Sequence, residues 1–275
     1  MTQPPVPFVK MHGAGNDFVV IDRRYAPAIE QVAEFVIAVC DRRRGVGADG
    51  VLFLDPGDGN LDFRMRYYNR DGGEADLCGN GARCLAAFAS AKGLGAAGTV
   101  RFASPAGTHE ARVRGDEVDL SIGDVVRPEA DRSFDTPGGV VEGALVTVGV
   151  PHVVIESPDV DALDLAAFAP ALRSHRSLGA AGANVDVVTV TGPSSGRLRT
   201  FERGVEGETL ACGTGAVATA AALVSKGRWS APVALSVASG DVLTVSFGGL
   251  DGATLRAATL SGPVEVSFEG SYFGS

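Results

Sequence analysis

Hydrophobic and polar positions along the chain fall into short alternating runs broken by glycine, with an alanine-rich helical stretch in each half. From Val9 to Asp22 the segment VKMHGAGNDFVVID reads as strand, glycine turn and strand, with Asn16 and Asp17 at the bend. Between residues 28 and 41, Ile29, Val32, Phe35, Val36, Val39 and Cys40 recur at helical spacing, which predicts a helix with Cys40 towards the core. Phe63, Met65 and Tyr67 alternate with Arg64 and Arg66 in a half-exposed strand that ends at Asn69. A helix is predicted from about Gly81 to Ala91, with Lys92 as a favourable last-turn charge and Gly93 as a left-handed terminator. Residues 214 to 224, TGAVATAAALV, are apolar on every side, so the second such helix must be buried rather than lie on a surface.

The two helices open on related sequences. ADLCGNGARC at residues 75 to 84 recurs as TLACGTGAVA at residues 209 to 218, which places Cys78 and Cys212 134 positions apart (212 − 78). The same offset carries Gly15 to Gly149, Glu74 to Glu208, Lys92 to Lys226 and Gly93 to Gly227, and VTVGVPHVVIE repeats the first strand, turn and strand. Two copies of one unit are predicted. The fold class is α+β, with two pseudo-symmetric lobes, each a β-sheet or barrel wrapped around a central helix. The first lobe is expected over residues 1–125 and the second over 126–263, with the proline-, glycine- and charge-rich stretch 126–140 as the linker.

Composition narrows the function classes. The net charge is −9 and the basic residues are scattered apart from Arg42, Arg43 and Arg44, which argues against a nucleic-acid or anionic-membrane surface. No apolar run approaches ~18 residues, and MTQPPVPFVK lacks a basic region followed by a hydrophobic one, so a cytoplasmic protein is expected. Cysteines stand at 40, 78, 84 and 212 without a C-x-x-C pair, and the histidines have no metal spacing. Reduced thiols and no metal site are expected.

At each repeated motif a cysteine precedes the first helical turn, and Asn80 and Thr214 are the expected N-cap residues. A helix N-terminus offers N–H donors and partial positive charge, which favour a thiolate and bind a carboxylate. Two such mouths facing one another would grip one carboxylate, with a thiol on either side of the adjacent carbon. Inverting a stereocentre needs two opposed bases of that kind. Cys40 and Cys84 read as small buried hydrophobes. Glu202 and Arg203 end a strand just before the second motif, as Tyr68 and Asn69 do before the first. They are either a solvated ion pair or a clamp for the ammonium and carboxylate of an amino acid. His152 is either a packed core histidine or a neighbour that tunes a thiol.

HGAGNDF, YNRDGGEADLCGNGARC, GVPH, GANVD and FERGVEGETLACGTGA together resemble the diaminopimelate epimerases over nearly the whole chain. The resemblance implies inversion of one stereocentre of LL-diaminopimelate to the meso form, without pyridoxal phosphate, metal or other cofactor, on the route to lysine and peptidoglycan. Cys78 and Cys212 would be the acid/base pair, one thiolate and one thiol. Gly79, Asn80, Gly213 and Thr214 would bind the reacting carboxylate. Asn16, Asn69, Asn184, Glu202 and Arg203 would recognise the rest of the substrate, while His152 and Glu202 modulate the cysteines. Phe268 sits at a family dimer contact, implying a homodimer, and residues 264–275 would return to the N-terminal lobe. Val150 stands where many members have Asn, and Gly50 where some have Gln. A racemase or epimerase of histidine, proline or hydroxyproline is the alternative enzyme, and a pseudo-symmetric amino-acid binding protein the non-enzymatic one. The related PhzF-like isomerases share the architecture but lack the cysteine pair.

Overall fold

The glycine-broken alternation of the sequence becomes two units of mostly antiparallel strands in a computed structural model that describes residues 4–26, 28–128 and 130–274. The first unit comprises the chain up to Leu120 together with residues from Gly262 onward, and the second comprises Ser121–Ser261. Its crossing points are therefore 120/121 and 261/262, against the 125/126 expected from composition and the 263/264 implied by the family resemblance.

In chain order the first unit contains β1 (Val6–Gly13), β2 (Asn16–Asp22), α1 (Val32–Cys40), β3 (Gly50–Pro56), β4 (Phe63–Asn69), β5 (Glu74–Ala75), α2 (Gly79–Ala91), β6 (Thr99–Ser104), β7 (Gly107–Arg114) and the start of β8 (Glu117–Val126), which runs on into the second unit. The second continues with β9 (Asp131–Thr136), β10 (Gly139–Val148), β11 (Val150–Glu156), α3 (Leu165–Arg173), β12 (Asn184–Gly192), β13 (Ser195–Glu202), β14 (Gly207–Thr209), α4 (Gly213–Ser225), β15 (Val233–Ser236), β16 (Val242–Ser246), β17 (Gly249–Asp251) and β18 (Thr254–Pro263). The last strand, β19 (Glu265–Tyr272), pairs antiparallel with β1 in the first unit.

The repeat is visible in the pairing. β1 pairs antiparallel with β2, β2 parallel with β3, β3 antiparallel with β4, and β4 parallel with β6. In the second unit β10, β11, β12, β13 and β15 pair in the same sequence of directions. Helix α2 spans 79–91 and α4 spans 213–225, so the offset of 134 (213 − 79) read from the cysteines holds for both helix ends. Each helix is followed by one lysine and then by Gly93 or Gly227 at φ +78° and +67°, the left-handed stop that its sequence predicts.

Both long helices are core elements. In α2, Ala82, Cys84, Leu85, Ala86 and Ala89 are fully buried, and α2 packs on β1, β2, β3, β4, β6 and β7. In α4, Ala216–Ala218 and Ala220–Leu223 are fully buried against β10, β11, β12 and β16. Small side chains on every face of α4 let strands approach from several directions, which is how a helix with no polar stripe is accommodated. The shorter helices cover the outer faces: α1 joins a cluster with Phe53 and Val19, and α3 one with Phe134 and Val185.

Two sequence expectations are corrected here. The stretch 126–140 is not a linker: β9 forms a hairpin with β10, Gly139 opposite Thr136 and Ala144 opposite Asp131. Proline, glycine and charge mark hairpin turns as well as linkers, and Phe134, fully buried among exposed neighbours, anchors this strand. Helix α1 begins at Val32 rather than near residue 28, with Gln31 at its N-cap making no side-chain bond; Ile29 packs on the same cluster from outside the helix. Among the described residues no helix is long and apolar enough to cross a membrane.

Replacing Leu85 by Ala would leave a cavity in the wall around α2, and the expected loss is about 2–5 kcal/mol of stability. Urea unfolding followed by circular dichroism measures it. An unchanged midpoint would contradict a load on this helix.

Candidate active site

Each repeated motif places a sulfur atom at the head of a buried helix. Asn80 and Thr214, expected as N-caps, are instead the second helical residues, and the N-caps are Cys78 and Cys212 themselves. Both cysteines have extended backbone, at φ −126° and −118°. The Gly81 N–H donates to Cys78 Sγ at 3.5 Å and the Gly215 N–H to Cys212 Sγ at 3.4 Å. Sulfur here does the work usually done by a hydroxyl or carboxamide oxygen. Gly79 and Asn80, and Gly213 and Thr214, thus supply the first-turn N–H groups that the helical ladder leaves outside itself, beside a thiol and at the positive end of the helix.

In the first unit the structure brings Asn16, Cys78 and Asn80 together. Cys78 Sγ lies 3.6 Å from Asn16 Oδ1, to which Asn80 Nδ2 donates at 3.4 Å. Asn16 is held from behind, its Nδ2 donating to Asp49 Oδ2 at 2.8 Å. Asp49 in turn accepts from Arg42 at 2.8 Å, and Arg42 also donates to Asp17 at 2.7 Å. Burial alone would raise the Asp17 carboxyl, but hydrogen bonds from Arg42 and Lys10 outweigh it and hold this acid well below its usual range. The fully buried Arg83 donates to Asn80 Oδ1 at 2.9 Å, fixing which way that amide faces. Asn69 ends β4 opposite Gly50 and accepts from Tyr67 at 2.6 Å.

The second unit is more polar and more enclosed. Cys212 is buried, whereas Cys78 is partly exposed. Thr214 Oγ1 lies 3.5 Å from Cys212 Sγ. Glu202, the last residue of β13, accepts from Thr209 at 2.5 Å and takes a hydrogen bond from Cys212. Burial raises the Glu202 carboxyl, against those two bonds. Asn184 opens β12 opposite His152 and accepts from the backbone N–H of Arg203 at 2.8 Å. His152 is fully buried, with Nδ1 2.7 Å from Asp186 Oδ2.

The helix mouth was expected to favour a thiolate at each cysteine. At Cys212 the opposite holds: burial pushes the thiol well above its ordinary range, and the Glu202 and Asp186 carboxylates add to the effect, against the Thr214 and Gly215 bonds. A helix terminus contributes about 0.3–2 kcal/mol. Full burial shifts a pKa by up to ~3–5 units at ~1.4 kcal/mol each, so burial wins. Burial also pushes Cys40 and Cys84 up to about 12, in keeping with their reading as core residues.

Residues missed in the sequence are Asp49, Arg83, Asp186 and Thr200, which support the motif residues from behind. Asp186 carried a usable signal, since it lies inside GANVD at the position where the first copy has Leu52. Among the described residues no cluster of three or more His, Cys, Asp or Glu could hold a metal ion.

Comparison with known proteins agrees with the motif pattern. The family model for diaminopimelate epimerase matches residues 8–128 and 144–269. The chain belongs to the diaminopimelate epimerase family. A family member from Gemmatimonas aurantiaca, named diaminopimelate epimerase, is 44% identical over 95% of this chain and 88% of its own. One of the same name from Aquifex aeolicus is 37% identical over 96% of each chain. Among solved structures, a hydroxyproline epimerase from Agrobacterium vitis superposes with a TM-score of 0.69 at 17% identity, over 98% of this chain and 92% of that one. A PhzF-family phenazine biosynthesis protein from Bacillus anthracis also gives 0.69, at 14% identity, over 98% and 99%. At those identities the likeness is one of fold, and it supports the α+β architecture expected for the family.

Gly50 has a local cause in this chain. A Cβ there would lie 2.4 Å from the Tyr68 carbonyl oxygen and 2.7 Å from the Tyr67 ring. Gly50→Gln is therefore expected to lower the thermal midpoint by several degrees or prevent folding, and a variant as stable as the parent would show that the β3–β4 pairing tolerates a side chain.

Proposed function

We propose that this protein is an isomerase that interconverts LL- and meso-diaminopimelate, with Cys78 and Cys212 as the two acid/base groups. The observation that carries this reading is the matched pair of sulfur-capped helices. Each presents a thiol beside first-turn N–H donors, in copies of one motif that share a single sequence offset. Donors at a helix mouth suit a carboxylate. They also stabilise the charge that develops on it as the adjacent carbon loses its proton, and fixed donors of this sort are often the largest catalytic contribution.

In the proposed reaction one cysteine thiolate removes the α-proton and the other cysteine thiol delivers a proton to the opposite face. The thiol/thiolate assignment is exchanged in the product complex, so the reverse reaction uses the same pair. Gly79, Asn80, Gly213 and Thr214 bind the reacting carboxylate, and Asn16, Asn69, Asn184, Glu202 and Arg203 recognise the remaining amino and carboxylate groups. Burial and the Glu202 and Asp186 carboxylates push the Cys212 thiol up, which suits it to donate the first proton. Val150, which opens β11, supplies no amide to the distal group. The reaction needs no added cofactor in this scheme. We further propose a cytoplasmic homodimer that contacts through β19, where Val266 and Phe268 are exposed, with no nucleic-acid or membrane partner.

The test is conversion of LL-diaminopimelate by purified, reduced protein without cofactor, followed by separation of the stereoisomers. Conversion is expected, and faster racemisation of histidine or proline would overturn the substrate assignment. Cys78→Ala and Cys212→Ala should each lower turnover by at least ~10²-fold, the lower end of what a positioned acid or base contributes. Near-normal turnover in either variant would rule out the two-cysteine mechanism.

A further inference from the structure

The two helix mouths are alike in front and unlike behind. In the first unit, a Cβ on Gly81 would lie 2.9 Å from Leu52 and 3.4 Å from the Phe18 ring. Phe18 in turn meets Tyr67 edge to face, with centroids 5.9 Å apart. The first turn of α2 therefore rests on an apolar cluster. Moving 134 positions along the chain (152 − 18) replaces Phe18 by His152, Leu52 by Asp186 and Gly81 by Gly215. Tyr67 pairs with Leu52 as Thr200 pairs with Asp186, so Thr200 occupies the place of Tyr67. A Cβ on Gly215 would lie 2.3 Å from Asp186 Oδ1 and 3.2 Å from Thr200 Oγ1. The first turn of α4 thus rests on a carboxylate.

This polar group is closed to solvent. His152 and Asp186 are fully buried and Thr200 nearly so. The Thr200 hydroxyl donates to Asp186 Oδ1 at 2.7 Å. An ionised carboxylate only accepts, so His152 Nδ1, 2.7 Å from Oδ2, carries the proton of that bond. His152 Nε2 is buried and has no hydrogen-bond partner among the described residues. A fold that could fill these three positions with Phe, Leu and Tyr, as it does in the first unit, holds a desolvated His–Asp pair instead. Burying such a pair is at best neutral for stability, which directs attention to another role.

We propose that Asp186, held in place by His152 and Thr200, is the positioning residue that makes Cys212 the resting proton donor. The proposal rests on the two-cysteine reading above. The charged and titratable groups that act on Cys212 are Glu202 at the end of β13 and Asp186 on β12, with the Thr214 hydroxyl and the Gly215 N–H opposing them. His152 on β11 acts on Glu202. β10 and β16, which also pack on α4, carry the buried Val146, Val148, Leu243 and Val245. Behind Cys78 the corresponding positions carry no charge, so the two thiols differ before substrate arrives.

The test is the pH dependence of iodoacetamide alkylation at Cys212 in the full-length Cys78→Ala protein, located by peptide mass spectrometry. Asp186→Asn keeps the size of the side chain and removes its charge. The expected result is a midpoint lower by one pH unit or more, and so at least a tenfold faster reaction at neutral pH. The double variant His152→Phe/Asp186→Leu copies the apolar backing of the first unit, and should shift the midpoint in the same direction if Asp186→Asn does not fold. A midpoint unchanged in a folded variant, judged by circular dichroism, would overturn the proposal. Alkylation needs no turnover, so failure of the epimerase reading would be seen separately, as no conversion of LL-diaminopimelate by the parent protein with an intact shift.

Discussion

A cysteine sulfur accepts the hydrogen bond that begins each central helix, Gly81 N–H to Cys78 and Gly215 N–H to Cys212. This one contact fixes where the helix starts, which N–H groups remain at its mouth and where the thiol stands relative to them. The helix behind it cannot shift, because its small side chains are packed on strands from several directions. A reactive atom on a buried, well-packed helix is held more closely than one on a loop, and proton transfer to carbon requires that precision.

The same contact exposes a competition. A helix terminus favours a thiolate, and burial opposes it. At Cys212 burial wins, aided by two carboxylates, while Cys78 is partly open and sits among amides. A two-base reaction needs one base and one acid at the start of each turnover. For the proposed two-cysteine reaction, unequal surroundings would provide that inequality within a repeated scaffold, whereas matched surroundings would leave it to the substrate alone.

Much of this was legible in the sequence because the chain carries an internal comparison. A single offset relates both helices residue for residue, and it relates β2, residues 16–22, to β11, residues 150–156. The left-handed stops at Gly93 and Gly227 followed from ordinary helix-ending chemistry. What escaped was decided by three-dimensional neighbours. Preferences for oxygen-bearing caps pointed to Asn80 and Thr214, whereas the sulfur two residues earlier was close enough to serve. β9 was hidden because only Phe134 in it is buried, and composition alone cannot tell a hairpin from a linker. Asp186 stands out only through its partners, His152 and Thr200, in a part of the strand that is buried.

The central claim is that two different groups handle the departing and the arriving proton. Isotope partition early in the reaction tests it most directly: LL-diaminopimelate is turned over in deuterated water, and both product and recovered substrate are examined at low conversion. The account predicts deuterium at the inverted α-carbon of the meso product while the remaining LL substrate stays unlabelled. Label entering the recovered substrate as fast as it enters the product would mean that one base serves both faces, and would contradict it.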